Sequence, residues 1–320
     1  MKYFLGGIVV LLAITGMTRL YFNLTDDFRV ANITYDLPFA APWKSAVLSA
    51  DDNVVIDQIL NQKFSYIGKG AQCYAFGSED GNYVLKFFKF KHLRPSWLAY
   101  LLPPGEYKTN YFAIKEKKLK SVFDAYDLAY REDKDNAALI YLHLVPVDGF
   151  HKQAIVFDKM GIERKIDLNP TVFLIQRKGV TLRTRLNQLL SEGHVGQAKQ
   201  SIDQILNMYI SEYKKGIYDR DHGVMVNAGF IGNHPFHLDA GKFAKIEKLK
   251  DKDLYSEDLA LVIWKIEKWI KDAYPEYREE LFPFLEERYH AYTGGHYDRL
   301  GINLDLFKKR RHLPVLNPSL

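Results

Sequence analysis

The sequence predicts an α+β chain in two lobes, an antiparallel sheet with a helix followed by a mainly helical half, behind an N-terminal hydrophobic helix. Three observations predict it. Residues 64–88 and 153–176 carry short apolar stretches bounded by turn residues, the pattern of strands. Residues 197–215 and 254–270 carry apolar side chains at helical spacing. Between these regimes the apolar strand 171–176 runs into Arg177-Lys178-Gly179, and a glycine-containing link from strand to helices reads as a hinge. At 320 residues and 47% hydrophobic content, the chain can bury the core that two packed lobes need. The expected organisation is a membrane anchor or signal over residues 1–24, a linker over 25–55, a first lobe over 56–178 and a second lobe over 179–320 ending in a helical extension.

Residues 3–18 are uncharged and apolar between Lys2 and Arg19. A membrane span needs about 20 apolar residues, and a snorkelling Arg19 lets residues 20–24 extend the run. The best cleavage triplet, Ala13-Ile14-Thr15, ends on a poor residue, so an uncleaved anchor is expected over a cleaved signal. Lys2 on one side balances Arg19 and Arg29 on the other, which leaves orientation open by charge. The rest of the chain is expected on the cytoplasmic side.

The formal charge of +5 comes from 44 Lys and Arg against 39 Asp and Glu. The two signs are interleaved, so the basic runs 86–94, 115–120 and 308–312 read first as solvated faces. No zinc-finger spacing or RNA-binding signature accompanies them, and nucleic acid is not expected as a partner. Cys73 is the one cysteine, which excludes an internal disulfide and a cysteine metal cage.

Within 64–88, two strand-like stretches flank Gly68-Lys69-Gly70, and a third carries Lys86 between Leu85 and Phe87. Glycines at a strand-to-strand turn let backbone N–H groups approach phosphate oxygens. A lysine drawn into an apolar strand is costly without an anion to meet it. Residues 111–133 have the helical period, with Phe112, Leu119, Phe123, Tyr126 and Tyr130 on one stripe. Glu116 lies on that stripe as a candidate partner for Lys86; Glu132, on the opposite face, is the rival.

The most informative stretch is 216–243, GIYDRDHGVMVNAGFIGNHPFHLDAGKF. A helix gives way to a polar turn with Asp219, Asp221 and His222, then Asn227, then an apolar hairpin around Gly232-Asn233 that ends on Asp239-Ala240-Gly241. The hairpin returns Asp239 to Asn227, and a carboxylate beside an amide oxygen suits a hard cation such as Mg²⁺. Asp221 is placed to orient an attacking hydroxyl. A salt-bridged acidic turn with no chemistry is the alternative.

Gly68, Gly70, Lys86 and this acidic stretch together resemble the protein-kinase-like superfamily, over roughly residues 60–275, as an atypical bacterial-type member. The resemblance implies a two-lobed protein-kinase-like fold and use of ATP with Mg²⁺. By it, Gly68, Gly70 and Lys86 hold phosphates, Glu116 pairs with Lys86, and the link with Gln176 and Lys178 meets the adenine edge. Asn227 and Asp239 hold the metal, and Asp221 serves the acceptor. The pattern is broken in two places. The third glycine is Cys73, and His222 stands five residues before Asn227, where the family has its aspartate, while Asp221 stands six before. No A-P-E motif follows Phe243. Two functions follow: a membrane-anchored phosphotransferase acting on a protein or small-molecule hydroxyl, or an inactive pseudokinase serving as a membrane-tethered scaffold. Whether Asp221 or His222 faces Asn227 discriminates them.

Overall fold

The computed structural model describes residues 2–37, 42–45 and 48–302, so the proline-containing tail and its basic run 308–312 lie outside the described residues. The chain divides into two units, Met1–Glu116 with Tyr141–Gln176 and Lys117–Ile140 with Arg177–Leu320. One division falls between Gln176 and Arg177, inside the stretch expected to be a hinge. Another falls inside a helix, so residues 117–140, expected in the first lobe, count with the second unit.

The first unit holds α1 (Lys2–Thr25), α2 (Ala50–Leu60), β1 (Lys63–Lys69), β2 (Cys73–Ser78), β3 (Tyr83–Phe88), α3 (Trp97–Tyr100) and the start of α4 (Glu106–Glu132). Four further strands complete it: β4 (Leu139–His143), β5 (Gln153–Phe157), β6 (Glu163–Asp167) and β7 (Phe173–Arg177). They form one seven-stranded sheet in the order β4-β7-β3-β2-β1-β5-β6. β1, β2 and β3 run antiparallel, whereas β1 and β5 pair in parallel. Phe64, Phe76, Phe87 and Phe88 are fully buried on this sheet. β6 escaped the sequence pattern because it is an edge strand with one buried residue, Ile166, among charged ones.

The expected linker is different in the structure. Phe28 and Ile33 are buried, and the Phe28 ring packs on Tyr74 and Phe76 at centroid distances of 5.2 and 4.9 Å. The backbone there joins the sheet's far end, Val172 N donating to Ile33 O and Tyr35 N to Pro170 O. α2 then starts at a complete capping box of Ser49 and Asp52. α1 exposes Leu11, Leu12, Met17 and Leu20. Among the described residues no helix is long and apolar enough to cross a membrane, so a spanning anchor, the sequence expectation, is not found. Thr15 and Thr18, which bond back to carbonyls four residues earlier, dilute the apolar run.

The second unit is built on one large core. β8 (Val180–Thr181) leads into α5 (Leu182–Ser191) and α6 (Val195–Lys215). β9 (Ile217–Asp219), α7 (Val224–Asn227), β10 (Ala228–Ile231), β11 (His234–His237) and β12 (Phe243–Lys245) follow, then α8 (Lys252–Ala273) and α9 (Arg278–Thr293). Ile202, Ile205, Leu206 and Tyr209 of α6 meet Leu259, Val262, Ile263 and Ile266 of α8 in that core, both sets at helical spacing. α6 stops at Gly216, which takes φ +70° and accepts no side-chain substitute at that angle without strain.

Candidate active site

β9 pairs with β12, with Asp219 opposite Phe243, and this ladder fixes both ends of the acidic loop. Asp219 is buried and its Oδ1 accepts the N–H of Asp221 at 2.9 Å, closing a tight turn. His222 then takes φ +49°, an uncommon angle for a residue with a side chain. Its ring turns into the core, where Nε2 meets Asp258 Oδ1 at 2.6 Å, while Tyr213 Oη donates to Asp258 Oδ2 at 2.6 Å. Lys265 Nζ donates to the His222 carbonyl. α8 therefore grips the loop at one residue by both backbone and side chain.

That grip turns Asp221, not His222, toward Asn227. Asn227 Nδ2 donates to Asp221 Oδ2 at 2.9 Å. The hairpin of β10 and β11 pairs Ala228 with His237, and Leu238 N donates to Asn227 O at 2.6 Å. Asp239 is thus delivered beside Asn227. Its Oδ1 accepts two bonds at 2.9 Å, from Tyr126 Oη of α4 and from Gly241 N. Gly223 is required by packing: a Cβ there would lie 2.6 Å from Asn227 Nδ2. Gly229 and Gly179 serve the same hairpin, since a Cβ at either would meet the backbone oxygen of Val180 or Phe230 within 2.3 Å.

The electrostatics beneath the loop are those of buried, paired groups. Burial would push the His222 imidazole down, but the Asp258 carboxylate overrides it and holds the imidazole above its ordinary range. Burial pushes Asp219 up. Glu212 Oε1 and His237 Nε2 stand 2.9 Å apart and fully buried. Burial raises Glu212, and Glu212 in turn raises His237 against the opposing effect of burial. Arg220 donates to Ser121 Oγ at 3.0 Å and to Lys242 O at 3.1 Å.

In the first unit, Gly68 marks a bulge in β1 and takes φ +156°. Gly70 N donates to Cys73 O at 2.9 Å, and no atom would meet a Cβ at either glycine within 4 Å. Lys86 lies on β3 opposite Ala75 and is half-buried. Lys89 is the surprise. It is buried, its Nζ donates to Gly70 O at 2.6 Å, and it sits 4.5 Å from the Tyr74 ring centroid. Burial pushes its ammonium down to about 8. Lys69, within the glycine turn, pairs with Asp26 at 2.8 Å.

The remaining expected residues lie as follows. Glu116 is exposed, and Glu132 pairs with Lys245 of β12. Gln176 is buried at the end of β7, and Lys178 is exposed. Among the described residues no group of three or more His, Cys, Asp or Glu side chains is arranged to hold a metal, so Asn227 and Asp239 stand as a pair. Two open cavities of about 750 and 470 Å³, lined among others by Asp57 and Lys152 and by His290 and Tyr297, share no residue with the site.

Sequence reasoning missed Tyr126, Gly223, Asp258, Lys265 and Lys89. In the sequence Tyr126 is one more aromatic on an apolar stripe. Asp258 offered a signal, a carboxylate immediately before the apolar run 259–263 of α8 that had to find a donor. The others gave none without the fold.

No protein family matches the chain. No curated protein matches it. Among solved structures it is similar to the bifunctional kinase-methyltransferase WbdD, at 13% identity and a TM-score of 0.31, over 76% of this chain and 48% of that one. It is also similar to WaaP in complex with acyl carrier protein, at 8% identity and a TM-score of 0.34, over 78% and 99%. A third is Rv3197 of Mycobacterium tuberculosis in complex with erythromycin, at 12% identity and a TM-score of 0.28, over 75% and 60%. The chain spans about half the length of the WbdD structures it matches. Likenesses at these scores carry no weight for the site, which rests on the contacts described above.

Proposed function

We propose that the chain is a kinase-like phosphotransferase that moves the γ-phosphate of ATP to a hydroxyl of a protein or small-molecule acceptor. The observation that carries this is the pairing of Asp221 with Asn227 while His222 is turned into the core. A loop that has lost its chemistry has no need to hold a carboxylate there by a residue at φ +49°.

The donor atoms fit Mg²⁺. Asn227 spends its N–H₂ on Asp221, which leaves Oδ1 as an acceptor. Asp239 takes both its described bonds on Oδ1, which leaves Oδ2. Two oxygens on rigid supports suit a hard cation that keeps several waters. When bound, the ion neutralises phosphate charge. Asp221 orients the acceptor hydroxyl and receives its proton. Gly68, Gly70 and Lys86 take the phosphates, and Gln176 with Lys178 the adenine edge. α1 brings the protein to a membrane, with the two units on the cytoplasmic side.

A pseudokinase scaffold is the second reading, favoured by one contact. Gly70 N is already occupied by Cys73 O, so this turn has one fewer N–H to offer phosphate. The test is Mg²⁺-dependent ATP binding by the full chain, beside Asp239→Ala and Lys86→Ala. Binding lost in both variants supports the proposal, and phosphate transfer then separates enzyme from scaffold. Wild-type protein that is folded but binds no ATP overturns it.

A further inference from the structure

Residues 89–120 carry the positive charge of the whole chain. They hold eight Lys or Arg and two Glu, an excess of six against the +5 of the entire sequence. Within them, and within the first unit, the structure exposes large apolar side chains. Trp97 is 71% exposed, Leu101 72% and Tyr107 75%, with Leu98, Tyr100 and Ile114 at half or more.

These side chains belong to two neighbouring elements, α3 with the residue after it and the start of α4. Ser96 N donates to Tyr111 Oη at 3.1 Å, and Lys108 Nζ donates to the carbonyls of Tyr100 and Leu102 at 3.0 and 2.8 Å. The Tyr100 ring stands 5.2 Å from Phe112, edge to face. α3 is thereby pinned along the first turns of α4. There Tyr107, Tyr111 and Ile114 follow one another at helical spacing, next to Lys108 and Lys115. The chain before α3 is tied to the end of α1 and the segment after it: Lys91 Nζ sits 4.9 Å from the Phe22 ring and pairs with Asp27, and Arg94 Nη2 donates to Ala31 O at 3.2 Å.

We propose that residues 97–114 dock on an anionic lipid surface, with Trp97, Leu98, Leu101 and Tyr107 entering the headgroup boundary and the neighbouring lysines meeting lipid phosphates. Trp and Tyr favour that boundary because each has an apolar body and a polar edge. Lys and Arg beside them favour anionic over neutral lipid. A globular partner would suit an apolar face equally, but Lys115 with the exposed Lys117 and Lys118 in the next turn of α4 selects a polyanionic plane. The inference does not depend on nucleotide or on phosphate transfer.

The test uses the full chain and Trp97→Phe, whose fluorescence difference isolates Trp97 from the other tryptophans. Vesicles of phosphatidylcholine alone are compared with equal parts phosphatidylcholine and phosphatidylglycerol, each with brominated acyl chains. The expected result is quenching of the Trp97 signal on the anionic vesicles, at least about fivefold weaker on the neutral ones. It falls further at ~1 M salt, where the screening length shrinks to about 3 Å. A chain that floats with anionic vesicles while Trp97 remains quenched only by aqueous iodide overturns the proposal. So does quenching that is equal on both vesicles, or none on either. Shielding of Trp97 without lipid that rises with protein concentration assigns the face to a second copy, and overturns it as well.

Discussion

The acidic loop of the second unit and the glycine turn of the first are held in opposite ways. The acidic loop is fixed by partners from packed elements: Asp221 Oδ2 by Asn227, Asp239 Oδ1 by Tyr126, and the backbone of His222 by Lys265. The glycine turn has open space around both glycines and is held by two lysines, Lys89 from inside and Lys69 through Asp26 from outside. The difference teaches where preorganisation lies. A loop that must present oxygens to a cation gains from rigidity, because its donors then need no rearrangement. On the proposed function the glycine turn would close over phosphates and gain from freedom, and long flexible ion pairs leave it some.

The largest effect is expected at Asp221. Asp221→Asn lowers turnover about 10²- to 10⁴-fold and leaves ATP affinity unchanged, measured by single-turnover kinetics beside equilibrium binding. Equal loss of both would move Asp221 to the metal site.

Next comes the support beneath it. Asp258→Ala strands the His222 imidazolium and Tyr213 hydroxyl in the core and costs about 3–5 kcal/mol in urea unfolding at neutral pH. The sign with pH follows from the raised imidazole. The pair's contribution is fully present below the unfolded histidine value of about 6.5 and is lost as pH rises through the higher folded value. The gap between wild type and variant therefore narrows on the alkaline side.

The comparison is sharpened by two glycines. Gly223→Ala pushes a Cβ against Asn227 and lowers turnover at least about tenfold, while Gly70→Ala enters open space and shifts stability by only about 0.4–1 kcal/mol. Similar turnover losses in the two variants would erase the contrast.

The smallest effect is a pH dependence. Lys89, lowered to about 8, binds its proton less readily folded than unfolded. Stability relative to Lys89→Met is therefore least below about 8 and rises as pH climbs from there to about 10.5. Thermal unfolding of both proteins across that window checks it. A flat difference would mean that Lys89 is not buried as a cation.

Much of the acidic loop was legible because its order is local. Asn227, a hairpin and Asp239 sit within thirteen residues, and Gly232 with φ +59° makes the turn that returns one to the other. The strands of the glycine turn were legible by their alternation, and α6 and α8 by their period. What was not legible depends on distance in sequence. Nothing near Asp258 says that His222 will meet it, nor does anything near Gly70 say that Lys89 will hold its carbonyl. The segment 25–37 misled for a different reason: Phe28 and Ile33 are five residues apart in a short mixed run with Val30, Ala31 and Tyr35, without a sustained helical or strand period to mark them as core.

That segment changes where the molecule can be cut. Phe28 is a wedge in the sheet, and removing a buried Phe side chain costs about 3–5 kcal/mol. A fragment started at residue 55, the natural choice if 25–55 were a tether, would lack that wedge, the Ile33 pairing with Val172 and the acid that meets Lys69. The leading helix and the sheet thus share one melting unit through residues 26–34. A protease that nicks this stretch would lower the unfolding temperature of the sheet itself, not merely release the helix.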